Sequence, residues 1–169
     1  MSETLLKVDD LKVHFPMRAA HLFGGQGAPV RAVDGVSLDL KAGETLGIVG
    51  ESGCGKTTLG RAILRLVEPT DGRVLWMGED LRALGSGAMR QARRHMQIIF
   101  QDPLASLDPR MSVETIIGKP LRIFHPELSH AQIKQRVLET MVQVGLSPAM
   151  ANRFPHEFSG GQCQRIGIA

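Results

Sequence analysis

Apolar and polar residues alternate near the start of the chain. Residues 5–15 place Leu11, Val13 and Phe15 on one face, the period of a half-buried strand. Residues 16–30 (PMRAAHLFGGQGAPV) break the alternation with Gly, Ala and Pro and predict a loop or insertion. Residues 33–40 predict a second strand, and Lys41-Ala42-Gly43-Glu44 a turn. The short apolar run Thr45-Leu46-Gly47-Ile48-Val49 then has the composition of a buried parallel strand. Residues 57–67 set Leu59, Ile63 and Leu66 at helical spacing, and Pro69 stops that helix. A strand is predicted over 73–77, between Gly72 and Gly78, and a loose helix over 84–94. A second apolar strand is predicted over 96–100, running into Gln101-Asp102-Pro103.

From there the pattern turns helical. Residues 113–121 predict a helix that Pro120 cuts at its end. Ser129 caps a stronger one, with Gln132 three residues on as capping-box partner. Ile133, Val137, Met141 and Val144 line one face of it, and Gly145 is a natural stop. Ser147 opens a short turn of helix towards Arg153, and Ser159-Gly160-Gly161-Gln162 opens a helix running to Ala169. There is no internal repeat.

A chain of 169 residues with 43% hydrophobic content supports one domain with a real core. Its 20 basic and 17 acidic residues are interspersed, with no basic run longer than Arg93-Arg94. Together with 4% aromatics and no Tyr, this argues for a solvated surface and against a nucleic-acid partner. Cys54 and Cys163 stand far apart, each inside a Gly-rich motif, so no disulfide framework and a reducing cytosol are expected. Residues 1–10 carry Glu3, Asp9 and Asp10 without an apolar core, unlike a signal peptide. No apolar run approaches the roughly 20 residues that span a bilayer, so a membrane role would come through a partner.

The sharpest chemistry lies at Gly50-Glu51-Ser52-Gly53-Cys54-Gly55-Lys56-Thr57. This satisfies G-x-x-x-x-G-K-[ST] between an apolar run and an amphipathic helix. Glycines let backbone N–H groups approach phosphate oxygens, and the helix start aims its dipole at the same anion. Lys56 supplies a point charge for the outer phosphates and Thr57 a hydroxyl for Mg²⁺. A nucleophile elbow would need Gly at the position of Cys54. A dinucleotide fingerprint on Gly53-Cys54-Gly55 would need Gly or Ala where Thr58 stands.

Ser159-Gly160-Gly161-Gln162 is a second loop-then-helix anion site. Taken alone, it is also an ordinary helix cap. A phosphate loop, then Gln101 after a short apolar run, a helical segment and SGGQ together resemble the nucleotide-binding domain of ABC transporters. Phe158 to Arg165 (FSGGQCQR) resembles the family's signature motif, departing from it at Phe158, where Leu is commoner, and at Cys163, often Arg or Lys. Gln101 resembles the Q-loop glutamine, and Phe15 the aromatic that stacks on adenine; a core Phe on a strand face is the competing reading of Phe15. Residues 101–110 (QDPLASLDPR) and 154–158 (FPHEF) resemble the oligopeptide/dipeptide importer branch. The insertion ahead of Arg31-Ala32-Val33-Asp34-Gly35 resembles the second of the two ATPase subunits in such systems.

The resemblance implies an α/β P-loop NTPase domain with an N-terminal antiparallel β-subdomain and a helical subdomain. It divides the chain at 1–101 (β-subdomain and phosphate-loop core) and 102–169 (Q-loop and helical subdomain ending in the signature helix). It implies ATP and Mg²⁺, with Mg²⁺ at Thr57 and Gln101. It gives Gly50 to Thr58, with Phe15, to one ATP, and makes Ser159, Gly160, Gly161 and Gln162 the signature, with Ser159 and Gly161 on the γ-phosphate of a partner's ATP. The implied partners are a second ATP-binding subunit, membrane permease subunits and, indirectly, a solute-binding protein, at the cytoplasmic face of the membrane. A Walker-B run ending in Asp-Glu and a later switch His are absent after Gln162, and all six His residues precede Ser159. No catalytic base is therefore assigned. The chain is expected to be an incomplete domain, inactive and poorly soluble alone, since a sheet missing later strands exposes an edge. Two rival expectations are a truncated nucleotide- or subunit-binding module without turnover, and a non-transport ABC protein; the tight motif spacing disfavours the latter.

Overall fold

The computed structural model describes residues 3–18 and 26–169. The chain divides into two compact units, Met1–Met96 and Gln97–Ala169.

In the first unit, β1 (Thr4–Arg18) and β2 (Gln26–Lys41) form a long antiparallel hairpin. Strand β3 (Asp71–Trp76) pairs with the other edge of β1, and the two-residue β4 (Glu79–Asp80) with β3, giving the order β2-β1-β3-β4. Helix α1 (Lys56–Ile63) buries Leu59 and Ala62 against the core made by Leu6, Val8, Leu11, Val13, Val33 and Val74. Helix α2 (Ser86–Ala92) adds Met89, and a 3-10 turn follows at Arg93–His95.

The hairpin is longer than the alternation predicts. Pro16 to Arg18 and Gln26 to Val30 lie in strands, not in the loop expected over 16–30; cross-strand pairing of Phe15 with Val30 and Met17 with Gly27 overrides local Gly and Pro content. Residues 19–25 of that expected insertion lie outside the described residues. The ladder is irregular. Where Val13 pairs with Val33 and His14 with Arg31, Ala32 is left over as a bulge in β2. His14 Nε2 and Asp34 Oδ1 lie 2.9 Å apart across the strands. The hydrogen bond from His14, reinforced by Arg31, holds the Asp34 carboxyl below its ordinary range.

Neither apolar run expected as a strand, the parallel one over 45–49 or the second over 96–100, is a strand. A parallel strand exists only within a ladder, and no described residue pairs with either run. Most of their side chains accordingly face out, Val49 at 96% exposure and Ile99 at 58%, while Met96 packs against the core of the first unit.

Helix α1 also stops early, at Ile63 instead of 67. Arg65 takes a left-handed φ of 51°. Its guanidinium donates to Leu81 O and Leu84 O, both at 2.8 Å, and Arg93 donates to Arg65 O at 2.9 Å. These long-range bonds turn the chain where the apolar spacing of Leu66 predicts more helix. The strand expected over 73–77 runs 71–76, closed by Met77 (φ 50°) and Gly78 (φ 85°). That pair of positive φ values is a tight hairpin turn, hidden from sequence by Met where Asn or Gly is usual. The helix expected over 84–94 is the shorter α2 with its 3-10 turn.

The second unit is helical: α3 (Pro103–Ser106), α4 (Val113–Phe124), α5 (His130–Gln143) and α6 (Gly160–Ile168), with 3-10 turns at Pro148–Met150 and Pro155–Glu157. Its core joins Leu107, Val113, Ile117, Ile133, Val137, Met141, Leu146, Ala151, Cys163 and Ile166. The capping box is formed as expected. Gln132 N donates to Ser129 Oγ (3.3 Å), and Ser129 N donates to Gln132 Oε1 (2.8 Å). Helix α4 runs through Pro120 to Phe124, beyond the end expected there. Packing against α5 outweighs the single bond that Pro withholds. Its first amides are satisfied by the turn ahead of α6: Val113 N donates to Arg153 O (2.9 Å) and Glu114 N to Ala151 O (2.8 Å). Among the described residues, no helix is long and apolar enough to cross a membrane.

Candidate nucleotide site

The phosphate-loop sequence lies at the start of α1. Cys54 N donates to Glu51 O (3.4 Å), closing a turn, and Gly53 (φ 83°) and Gly55 (φ 95°) carry the chain through left-handed backbone. Gly55 is the N-cap of α1 and offers no side-chain cap. The first helical amides thus point outward with no intrahelical partner, and no acid in the first turn offsets the helix dipole. A Cβ on Gly55 would overlap the carbonyl oxygen of Ala32 and lie 3.2 Å from its carbonyl carbon. The loop therefore rests on the bulge of β2.

Lys56 folds its side chain back over the loop. Its ammonium donates to Gly50 O (2.7 Å) and Glu51 O (2.6 Å) and lies 3.5 Å from Cys54 Sγ. Sequence indicates the charge but not this latch. Thr57 is exposed and Thr58 half-buried, so the Thr57 hydroxyl is open to a ligand. The donor set suits a polyphosphate: uncapped amides at the start of α1, one ammonium and one accessible hydroxyl, with Glu51 as the sole carboxylate within 50–58. Phe15 belongs to the same unit. It is 42% exposed, opposite Val30 in the hairpin, and not the core phenylalanine that its strand face also permits.

Gln101 and residues 159–162 belong to the second unit. Gln101 is exposed, just ahead of Asp102, whose carboxylate caps α3 by accepting from Ala105 N (3.0 Å). Ser159 is the N-cap of α6. Its Oγ accepts from Gln162 N (3.4 Å), while Ser159 N donates to Gln162 Oε1 (2.9 Å). Gly160 and Gly161 are exposed, and a Cβ on either would meet nothing within 4 Å. The glycine side of the α6 start is thus unobstructed, while the Gln162 amide is capped by Ser159.

The profile of the family described as "ABC transporter" matches residues 33–169. The chain belongs to the ABC transporter family. An oligopeptide transport ATP-binding protein, OppF, of Salmonella typhimurium is 54% identical over 168 residues, covering 99% of this chain and 50% of the relative. AppF of Bacillus subtilis, also described as an oligopeptide transport ATP-binding protein, is 49% identical with the same coverage. The chain thus spans about half the length of the curated relatives it matches. Among solved structures, the ATP-binding cassette MJ0796 bound to ADP and Pi superposes with a TM-score of 0.81 at 28% identity, covering 97% of this chain and 67% of that one. That agreement shows the ABC cassette fold, incomplete here as expected.

Within this ABC domain, α6 is anchored by two features that sequence reading missed. Cys163 is fully buried, and its thiol donates to Pro155 O at 3.4 Å. Burial pushes the thiol pKa up, so it packs as a small neutral group. Arg165 donates to Gly145 O at 3.2 Å, tying α6 to the end of α5. Ile166 at helical spacing from Cys163 is the signal that pointed to a buried face. Both cysteines are free thiols. Replacing Ser159 with Ala should remove one side of its capping box and cost about 1 kcal/mol of α6 stability. Thermal melting of the full-length subunit checks this: an unchanged Tm would mean that Gln162 alone holds the cap.

Proposed function

We propose that this chain is the nucleotide-binding part of an energy-coupling subunit of an ABC importer for oligopeptides or dipeptides. The observation that carries the reading is the Lys56 latch over a glycine loop at the uncapped start of α1. Likeness to oligopeptide transport subunits supports the solute class. Lys56 would hold the outer phosphates, the amides of Gly50 to Thr58 would line them, and Phe15 would carry the base. The Thr57 hydroxyl and Gln101 would hold Mg²⁺, which when bound neutralises charge between the phosphates. Gln101 would also orient the attacking water. Ser159, Gly160, Gly161 and Gln162 would cap the γ-phosphate of a nucleotide held by a second ATP-binding subunit. Binding to both surfaces at once favours the closed pair, because only that state makes both sets of contacts. The helical residues after Gln101 would receive the permease at the cytoplasmic face of the membrane.

The test uses the full-length subunit assembled with its permease in vesicles. ATP hydrolysis should rise when the peptide-loaded binding protein is added. Nucleotide binding without hydrolysis in the complete assembly would favour a binding module without turnover, and hydrolysis indifferent to peptide would remove the importer reading.

A further inference from the structure

Strand β2 slips twice against β1 within a short stretch. Leu11 pairs with Val36 and Lys12 with Asp34, so Gly35 (φ 77°) is left over; Val13 pairs with Val33 and His14 with Arg31, so Ala32 is left over. Between these two bulges only Val33 and Asp34 stay in register. Two paired residues offer few ladder bonds to hold a register, and a slip of one residue changes which side chains face the core.

Side chains on the outer face supply what the ladder lacks. His14 and Asp34 follow Val13 and Val33, so alternation puts them on the face opposite the core. The Asp34 carboxylate reaches to both sides of the Ala32 bulge. Its Oδ1 accepts from His14 Nε2 across the strands (2.9 Å), and its Oδ2 accepts from Arg31 Nη1 on the far side of the bulge (3.2 Å). Lys12, opposite Asp34 in the ladder, donates elsewhere, to Asp10 (2.8 Å) and Asp71 (3.5 Å). His14 is itself fixed from the other edge of β1. Its N–H donates to Thr70 Oγ1 (2.9 Å), and Thr70 N donates to Lys12 O (2.7 Å), just ahead of β3. Strand β1 is thus pinned by Thr70, and Asp34 ties β2 to it at the point where the count fails.

Exposed pairs of this kind contribute little to global stability. Their effect falls on the place of the bulge, because they straddle the skipped residue. That residue bears the phosphate loop: Gly55 is seated on the Ala32 carbonyl, and the Cβ it lacks would lie 3.8 Å from Val33 Cγ2. A bulge displaced by one residue would move that seat.

We propose that Asp34 is a positioning residue for the phosphate loop, its carboxylate joining His14 and Arg31 so that the bulge, and with it the seat of Gly55, stays at Ala32. This rests on the reading of residues 50–58 as the phosphate site. Asp34 touches no phosphate; it acts through the backbone of β2.

The experiment titrates the full-length subunit with ATP and, separately, with inorganic tripolyphosphate, and records the melting temperature of each variant. Asp34→Ala should weaken both ligands by the same factor, about fivefold, because the loop that holds the phosphates moves. His14→Ala should weaken both in the same way, whereas His14→Gln, whose amide can still donate to Asp34, should keep both affinities near wild type. A lower melting temperature with both affinities unchanged would make Asp34 a stabilising residue only and overturn the proposal. Weakening of ATP without tripolyphosphate would place the effect away from the phosphates and overturn it as well. Should Asp34→Ala fail to fold, the two His14 variants decide: equal tripolyphosphate affinities in Ala and Gln overturn the positioning role. Lys56→Ala tests the underlying reading separately, since unchanged tripolyphosphate binding there would remove the phosphate site from residues 50–58 whatever Asp34 does.

Discussion

Gly55→Ala should abolish nucleotide binding and destabilise the first unit. Gly55 has φ 95°, a conformation that costs an L-residue with a Cβ about 1–2 kcal/mol. The added methyl would also meet the Ala32 carbonyl, which is backbone and cannot rotate away. Forcing that contact costs about 1–3 kcal/mol more in displaced structure. The displacement falls on the N-cap of α1, so the amides that would line the phosphates move with it. Isothermal titration of the full-length variant with ATP should show no binding, and its melting temperature should fall. Alanine at Gly53 provides the contrast. It carries a positive φ of 83°, but nothing lies within 4 Å of its missing Cβ, so it should bear the conformational cost without the clash. Equal losses at the two positions would mean that the seat on Ala32 is unimportant.

Lys56→Ala should weaken ATP binding by about a hundredfold or more, from loss of charge-assisted bonds worth about 1.5–3 kcal/mol each. The same substitution should loosen the loop before any ligand arrives, because the ammonium links the carbonyls of Gly50 and Glu51. Hydrogen exchange should therefore quicken at the amides of residues 51–54. It should stay unchanged at Leu59, whose N–H donates to Gly55 O at 2.8 Å within the helix. Loss of ATP affinity with unchanged exchange would reduce Lys56 to a phosphate ligand alone. Unchanged affinity would move the phosphates away from this loop altogether.

Much of the local structure was legible in residue order. The Ser129–Gln132 box, the apolar face of Ile133, Val137 and Met141, and the stop at Gly145 (φ 73°) are short-range chemistry, settled within a few residues. The candidate phosphate loop was equally plain, since a glycine spacing with Lys and Thr states its own backbone requirement. Elements set by distant partners were not legible. Pro120 sits inside a helix because α5 packs on α4, and α1 ends early because Arg65 and Arg93 bind carbonyls far along the chain.

The amino-acid sequence by itself marked the candidate side chains for chemistry and where the capped helices begin, because capping and glycine-loop geometry depend on near neighbours. It also identified residues 45–49 and 96–100 as apolar runs, but apolar content alone does not make a strand. Pairing does, and pairing belongs to the tertiary structure. The same holds for the bulge at Ala32. Nothing in Arg31-Ala32-Val33 marks it, since a bulge is a mismatch in count between two strands and exists only once both are aligned. Only the fold decided that this mismatch would lie under Gly55, and so that a strand irregularity would bear the phosphate loop.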